Sequence, residues 1–179
     1  MEAPSILVLP GWQGAGCAQW PRRWAAIWGY TLVEQHDWQR PLRGDWLMQL
    51  DEAVLASSAP VILVAHGLGC HQVAAWAAHS RHADQVKAAL LVAPLDVQLP
   101  ALRPALPSWS PVVRQRLPFK SMVVGRDNDP YCKADTAQAW ALDWGAQWMC
   151  VGQAGHFNDE SLQGDWLQGR LLLNELTKD

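Results

Sequence analysis

Residues 61–78 constrain this chain more than any other stretch. Val61-Ile62-Leu63-Val64-Ala65 is a short apolar run rich in β-branched residues, and it reads as a strand buried on both faces. The alanine-rich segment that follows puts Val73, Ala74, Ala77 and Ala78 on one face and reads as a helix. Between them stands His66-Gly67-Leu68-Gly69, with two glycines and no room for a loop. The backbone must therefore turn sharply from strand to helix, and the residue at the tip, Gly67, is held out at a strand end.

The rest of the chain alternates in the same way. Apolar runs near Ile6–Leu9, Tyr30–Glu34, Val61–Ala65, Ala88–Val92, Ser121–Val124 and Gln147–Val151 read as strands. Helical patterns fall near Ala18–Trp28, Asp45–Ser57, Gly69–Ser80 and Ala134–Trp144, with a last helix ending near Leu176. Such alternation predicts an α/β fold of Rossmann-like, three-layer build, with about six mostly parallel strands flanked by helices. At 179 residues, with neither repeats nor a linker, residues 1–179 are expected to form a single domain. Trp20, Trp24, Ile27 and Trp28 recur at helical spacing and are expected to face the core. Most of the twelve tryptophans are expected in the core or lining a pocket. One connection is irregular: between Ala93 and Pro118 lie Pro94, Pro100, Pro104, Pro107, Pro111 and Pro118. Proline removes donors and blocks regular structure, and a long loop after a central strand reads either as a cover over a site or as a surface excursion.

Composition excludes several partners. A net charge of −3 with no basic block argues against nucleic acid and anionic membranes, and no apolar run approaches membrane-spanning length. The first apolar run lacks a basic flank and meets Pro10-Gly11, so it reads as a strand and not a signal peptide. Cys17, Cys70, Cys132 and Cys150 show no metal-ligand spacing and read as reduced thiols in a cytoplasm. No metal or cofactor is expected. A homo-oligomer is compatible with the sequence.

A sharp strand–turn–helix with small residues around its tip is the setting of the nucleophile elbow, G-x-S-x-G. Ala65-His66-Gly67-Leu68-Gly69 keeps that frame, with Gly67 where the serine would stand. An acyl-transfer site also needs a base, an orienting acid and an oxyanion hole. His156, in the glycine-flanked loop past the last strand, has the right order and setting for the base. His66, His71, His79 and His82 read mainly as packing or surface residues. The acid lies in Gly125-Arg126-Asp127-Asn128-Asp129-Pro130-Tyr131, after the fifth strand. Either Asp127 or Asp129 could hold the imidazole; Asp129 is favoured, with Asp127 bracing the turn. Backbone N–H groups of Leu68, at a helix N-terminus, and of Trp12, in the glycine-rich loop Pro10–Gly16, are the expected oxyanion hole. Cys70 lies one turn into the helix and is no obvious substitute nucleophile.

These residues resemble the YdeN-like serine hydrolases, a small α/β-hydrolase family that includes the retinoblastoma-binding serine hydrolase. The resemblance spans nearly the whole chain. It rests on Pro10-Gly11-Trp12 with Trp20 and Trp24, on Gln35-His36-Asp37-Trp38 with Pro41 and Asp45-Trp46, and on Val64–Cys70. It continues through Asp127-Asn128-Asp129-Pro130-Tyr131, Gly155-His156-Phe157-Asn158 and Gly164-Asp165-Trp166. By motif it implies an α/β-hydrolase fold and a triad at position 67, Asp129 and His156, acting on a small-molecule ester or acyl substrate. The chain departs from the family at Gly67, where the family has serine, and at Ala15, Cys17 and Gln19 in the first loop. Gly67 fits either a deliberate Ser→Gly substitution or a natural non-catalytic member, so the alternative is a small-ligand-binding or interaction protein on the same fold. Leu68-Gly69-Cys70-His71-Gln72 does not complete the L-x-C-x-E motif linked to retinoblastoma binding, and no such partner is expected.

Overall fold

The computed structural model of the chain describes residues 3–16, 18–152, 157 and 165–178. Cys17, Gly155, His156, Asn158 and Gly164, all singled out above, lie outside the described residues. Six strands are described: β1 (Ser5–Leu9), β2 (Thr31–Leu32), β3 (Val61–His66), β4 (Val86–Val92), β5 (Lys120–Gly125) and β6 (Gln147–Cys150). They form one sheet in the order β2-β1-β3-β4-β5-β6, every pair parallel. The expected three-layer α/β architecture of about six strands is thereby met, with "mostly parallel" becoming wholly parallel among the described strands. Among the described residues five α-helices flank the sheet: α1 (Trp20–Trp28), α2 (Arg43–Leu55), α3 (Leu68–His79), α4 (Ala134–Trp144) and α5 (Leu167–Thr177). No described helix is long and apolar enough to cross a membrane.

Strand residues alternate between two cores, as a period of two requires. Leu7, Leu9, Leu63, Ala65, Ala89, Leu91 and Val123 pack against α2, α3 and α4. Val8, Ile62, Val64, Leu90, Val92 and Val124 pack against α1 and α5. All six residues of β3 are buried, because it lies inside the sheet with helices over both faces. A third cluster sits beyond the strand ends. It joins Trp46 and Leu68 to Leu95, Val97, Leu106 and Trp109 of the proline-rich segment.

The differences from the expected elements have local causes. The second strand shrinks from Tyr30–Glu34 to Thr31–Leu32, since an edge strand has only β1 to pair with. Helix α1 starts at Trp20 because Pro21 fits the first turn of a helix. Its inward face is centred on Trp20, Pro21 and Trp24, so Ile27, expected in the core, lies at the edge of that face and is half exposed. Helix α2 starts two residues early, and α3 starts at Leu68, directly after the glycine. The proline-rich segment holds one short 3-10 turn, Pro107–Trp109. It is no loose excursion: Trp109 is buried against Trp46, and its indole N–H donates to the Pro41 carbonyl at 2.8 Å.

Candidate active site

The strand order places a topological switch between β1 and β3. From β1 the chain passes to β2 on one side, and from β3 to β4 on the other. Ligands of open α/β sheets bind in the crevice outside the strand C-termini at such a point. Two glycine-bearing turns meet there. After β3, Gly67 has φ 56° and ψ −119°, and α3 begins at the next residue. Its N–H donates to Val92 O at 3.0 Å, which fastens the turn to β4. After β1, Gly11 comes down on this turn: a Cβ on Gly11 would lie 3.1 Å from His66 O and 3.5 Å from Leu68 N. Gly69 is pressed closer still to β1, since a Cβ there would meet Leu9 O at 2.7 Å. Both glycines thus permit close approach of backbones, and Gly67 permits a left-handed turn.

A cavity of about 400 Å³ opens over the two turns. The first loop contributes Gly11, Trp12, Gln13 and Gly14 to its wall, and Gln19 follows. The turn after β3 contributes His66, Gly67 and Leu68; Leu95, Leu102 and Tyr131 close the far side. The loop Asp37–Arg40 braces the first loop. The Asp37 carboxylate accepts from the Gln39 and Arg40 N–H groups at 2.8 and 2.9 Å, which hold its pKa below the ordinary value. Trp38 O then accepts from Gln13 N, and Gln39 O from the Trp12 indole.

The two acidic candidates separate. Asp127 accepts from the Cys150 thiol at 3.3 Å, at the end of β6. Asp129 Oδ1 accepts from Tyr131 N at 2.9 Å, and Tyr131 O accepts from Asp96 N. Asp129 therefore belongs to the turn that presents Tyr131 to the cavity. Beside it, Arg126 is buried and stacks over the Phe157 ring at 3.9 Å from its centroid. Burial holds the Arg126 guanidinium below its usual pKa, against the pull of the Asp129 charge. Cys70 is fully buried, which pushes its thiol well up and leaves a poor nucleophile. Among the described residues no group of three His, Cys, Asp or Glu side chains is placed to hold a metal ion.

A family model described as "Serine hydrolase" matches residues 6–175. The chain belongs to the serine hydrolase family. Solved structures add the fold. This family member is similar to a YdeN-like hydrolase of Pectobacterium atrosepticum, at 22% identity, with 96% of this chain and 89% of that chain covered and a TM-score of 0.84. It is similar to the ydeN gene product of B. subtilis, at 17% identity, 98% and 100% coverage and a TM-score of 0.76. It is also similar to an esterase of Thermogutta terrifontis, at 15% identity, 97% and 81% coverage and a TM-score of 0.66. None of the curated proteins compared with the chain matches it.

Within this serine hydrolase fold, Trp12, Gly67 and Leu68 meet at one cavity, and Asp129 sits two residues from its wall. His156 lies outside the described residues. His66, read from sequence mainly as a packing residue, lines the cavity and stands edge-on to Trp20. Leu95 and Leu102 were not singled out. The proline-rich segment was the only signal, and which of its apolar residues turns inward depends on contacts with Trp46 and Leu68 far away in sequence.

Proposed function

We propose that the crevice between β1 and β3 is the acyl-transfer site of a serine hydrolase, with Gly67 at the nucleophile position. In this reading the turn after β3 is a nucleophile elbow. His156 is the base, Asp129 orients and stabilises its imidazole, and the Trp12 and Leu68 N–H groups receive the oxyanion. The substrate is a small ester or similar acyl compound. Gly67 supports the reading most strongly: its φ of 56° and ψ of −119°, at a strand end facing a cavity, is the strained geometry that exposes a nucleophile.

With serine at position 67, its hydroxyl oxygen attacks the acyl carbonyl and His156 takes the proton. The alkoxide leaves with that proton, and water then releases the acid by the same path. Glycine supplies no oxygen, so the chain as it stands makes no acyl-enzyme. Triad knockouts keep only a residual rate, roughly 10³–10⁴-fold over water, from binding and the oxyanion hole. Gly67 also favours a second reading, a non-catalytic binder, because glycine relieves the strain of the turn.

Hydrolysis of p-nitrophenyl esters tests this. Gly67→Ser should exceed the parent chain by orders of magnitude, and adding His156→Ala should remove nearly all of the gain. Equal rates for the parent and Gly67→Ser would overturn the assignment.

A further inference from the structure

The sheet has two edges, and only one of them is blunted. β2 offers Thr31 and Leu32 alone, too short a strand to template another. β6, at the other edge, runs Gln147-Trp148-Met149-Cys150, with no proline, no charge and no shift in its register with β5. Among the described residues it pairs with β5 alone. Val151 N donates to Gly125 O, so Gln147, Met149 and Val151 turn their backbone groups to β5. The N–H and C=O groups of Trp148 and Cys150 therefore point off the sheet. Beside this edge α4 carries a stripe at helical spacing, Asp135, Gln138, Ala139 and Leu142. With Ala146 and Trp148 the stripe lines a hollow of about 460 Å³. Leu142 is 80% exposed, and Met149, on the opposite face of the sheet, 37%.

We propose that β6 pairs antiparallel with β6 of a second copy of this chain, about a two-fold axis through Met149, to make one continuous sheet. Trp148 then faces Cys150 of the second copy, and the two exchange both N–H···O bonds. Met149 faces Met149, whose own backbone groups stay with β5. The helix layer fits the same axis. α4 lies over β5 and β6. With strands about 4.8 Å apart, the axis sets the two α4 helices about 10 Å apart, the spacing at which helices pack. The two helices run antiparallel, so the Leu142 of each copy meets the hollow of the other. Their ends are complementary in charge. Asp135, at the N-terminal end of one helix, comes to the C-terminal end of the other, where Arg114 pairs with Asp143 and Arg116 crowds Gly145. Two arginines against one aspartate leave that end positive.

Sedimentation equilibrium of the full chain should show a concentration-dependent dimer. Position 149 faces itself across the axis, so charge placed there reads the register. Met149→Lys and Met149→Glu should each loosen the dimer about tenfold or more, and an equimolar mixture of the two should regain it. Leu142→Ser, at a position too exposed to unfold the monomer, should loosen it as well. In a Cys150→Ser background, Met149→Cys should give a disulfide-linked dimer on mild oxidation, since residues facing in a non-hydrogen-bonded pair lie about 4.5 Å apart. A chain that stays monomeric up to millimolar concentration overturns the proposal. So does a dimer that neither Met149→Lys nor Leu142→Ser loosens, one that the Lys and Glu variants do not re-form on mixing, or one that Met149→Cys fails to cross-link. None of these readouts depends on chemistry at Gly67, so this proposal and the hydrolase reading fail separately.

Discussion

His71, on the first turn of α3, donates from Nε2 to the carbonyl of Leu95 across 2.6 Å, joining the helix behind Gly67 to the wall of the cavity. The imidazole is buried edge-on to Trp140 at 4.8 Å, and its Nδ1 has no hydrogen-bond partner among the described residues. A second proton would have to sit on that nitrogen, between rings, with no acceptor among the described residues.

Acid should therefore loosen this region first. Burial lowers the His71 pKa from 6.5 to about 4, so the unfolded chain takes up a proton that the folded chain refuses. The stability from neutral His71 is whole above pH 6.5 and is lost as pH falls through about 4, on the order of 3 kcal/mol in all. Urea unfolding at pH 7.5 and pH 5 measures it. His71→Leu should cost stability at both, but lose about 2 kcal/mol less than the parent between them.

Glycines 69 and 44 should respond oppositely to alanine. A Cβ on Gly69 would lie 2.7 Å from Leu9 O, a backbone atom inside the sheet that cannot yield cheaply. Gly69→Ala should cost about 1–3 kcal/mol by overpacking. Gly44, in α2, has nothing within 4 Å of its added Cβ, so Gly44→Ala should gain about 0.5 kcal/mol. Denaturant midpoints of the two variants check the pair.

The sequence made the sheet legible because its signals are local. Buried strands such as β3 are apolar runs, and α4 keeps the bounds Ala134–Trp144 that its pattern predicts. The turn at Gly67 was legible for the same reason, with glycines at fixed offsets between a strand and a helix. What escaped depends on distant partners. Ile27 fits the helical stripe of α1, yet the direction of the core is set by Trp20, Pro21 and Trp24 packing on the sheet and α5. Leu95 and Leu102 become cavity wall only because Trp46, from another helix, anchors their segment.

Gly67→Ser should carry a cost in stability. A φ of 56° with ψ of −119° suits glycine and strains any residue with a Cβ. A loss of about 1–3 kcal/mol in urea, with an unchanged m-value, is expected. A variant as stable as the parent would mean that the turn relaxes away from this geometry.

In the proposed acyl-transfer site, position 67 is a nucleophile site lacking only its oxygen. Intact-mass spectrometry after a fluorophosphonate, on the parent chain and on folded Gly67→Ser, tests it most directly. A single adduct on Gly67→Ser, mapped to position 67 and lost when His156→Ala is added, with none on the parent, is the predicted result. No adduct on folded Gly67→Ser, or the same adduct on both proteins, would contradict it.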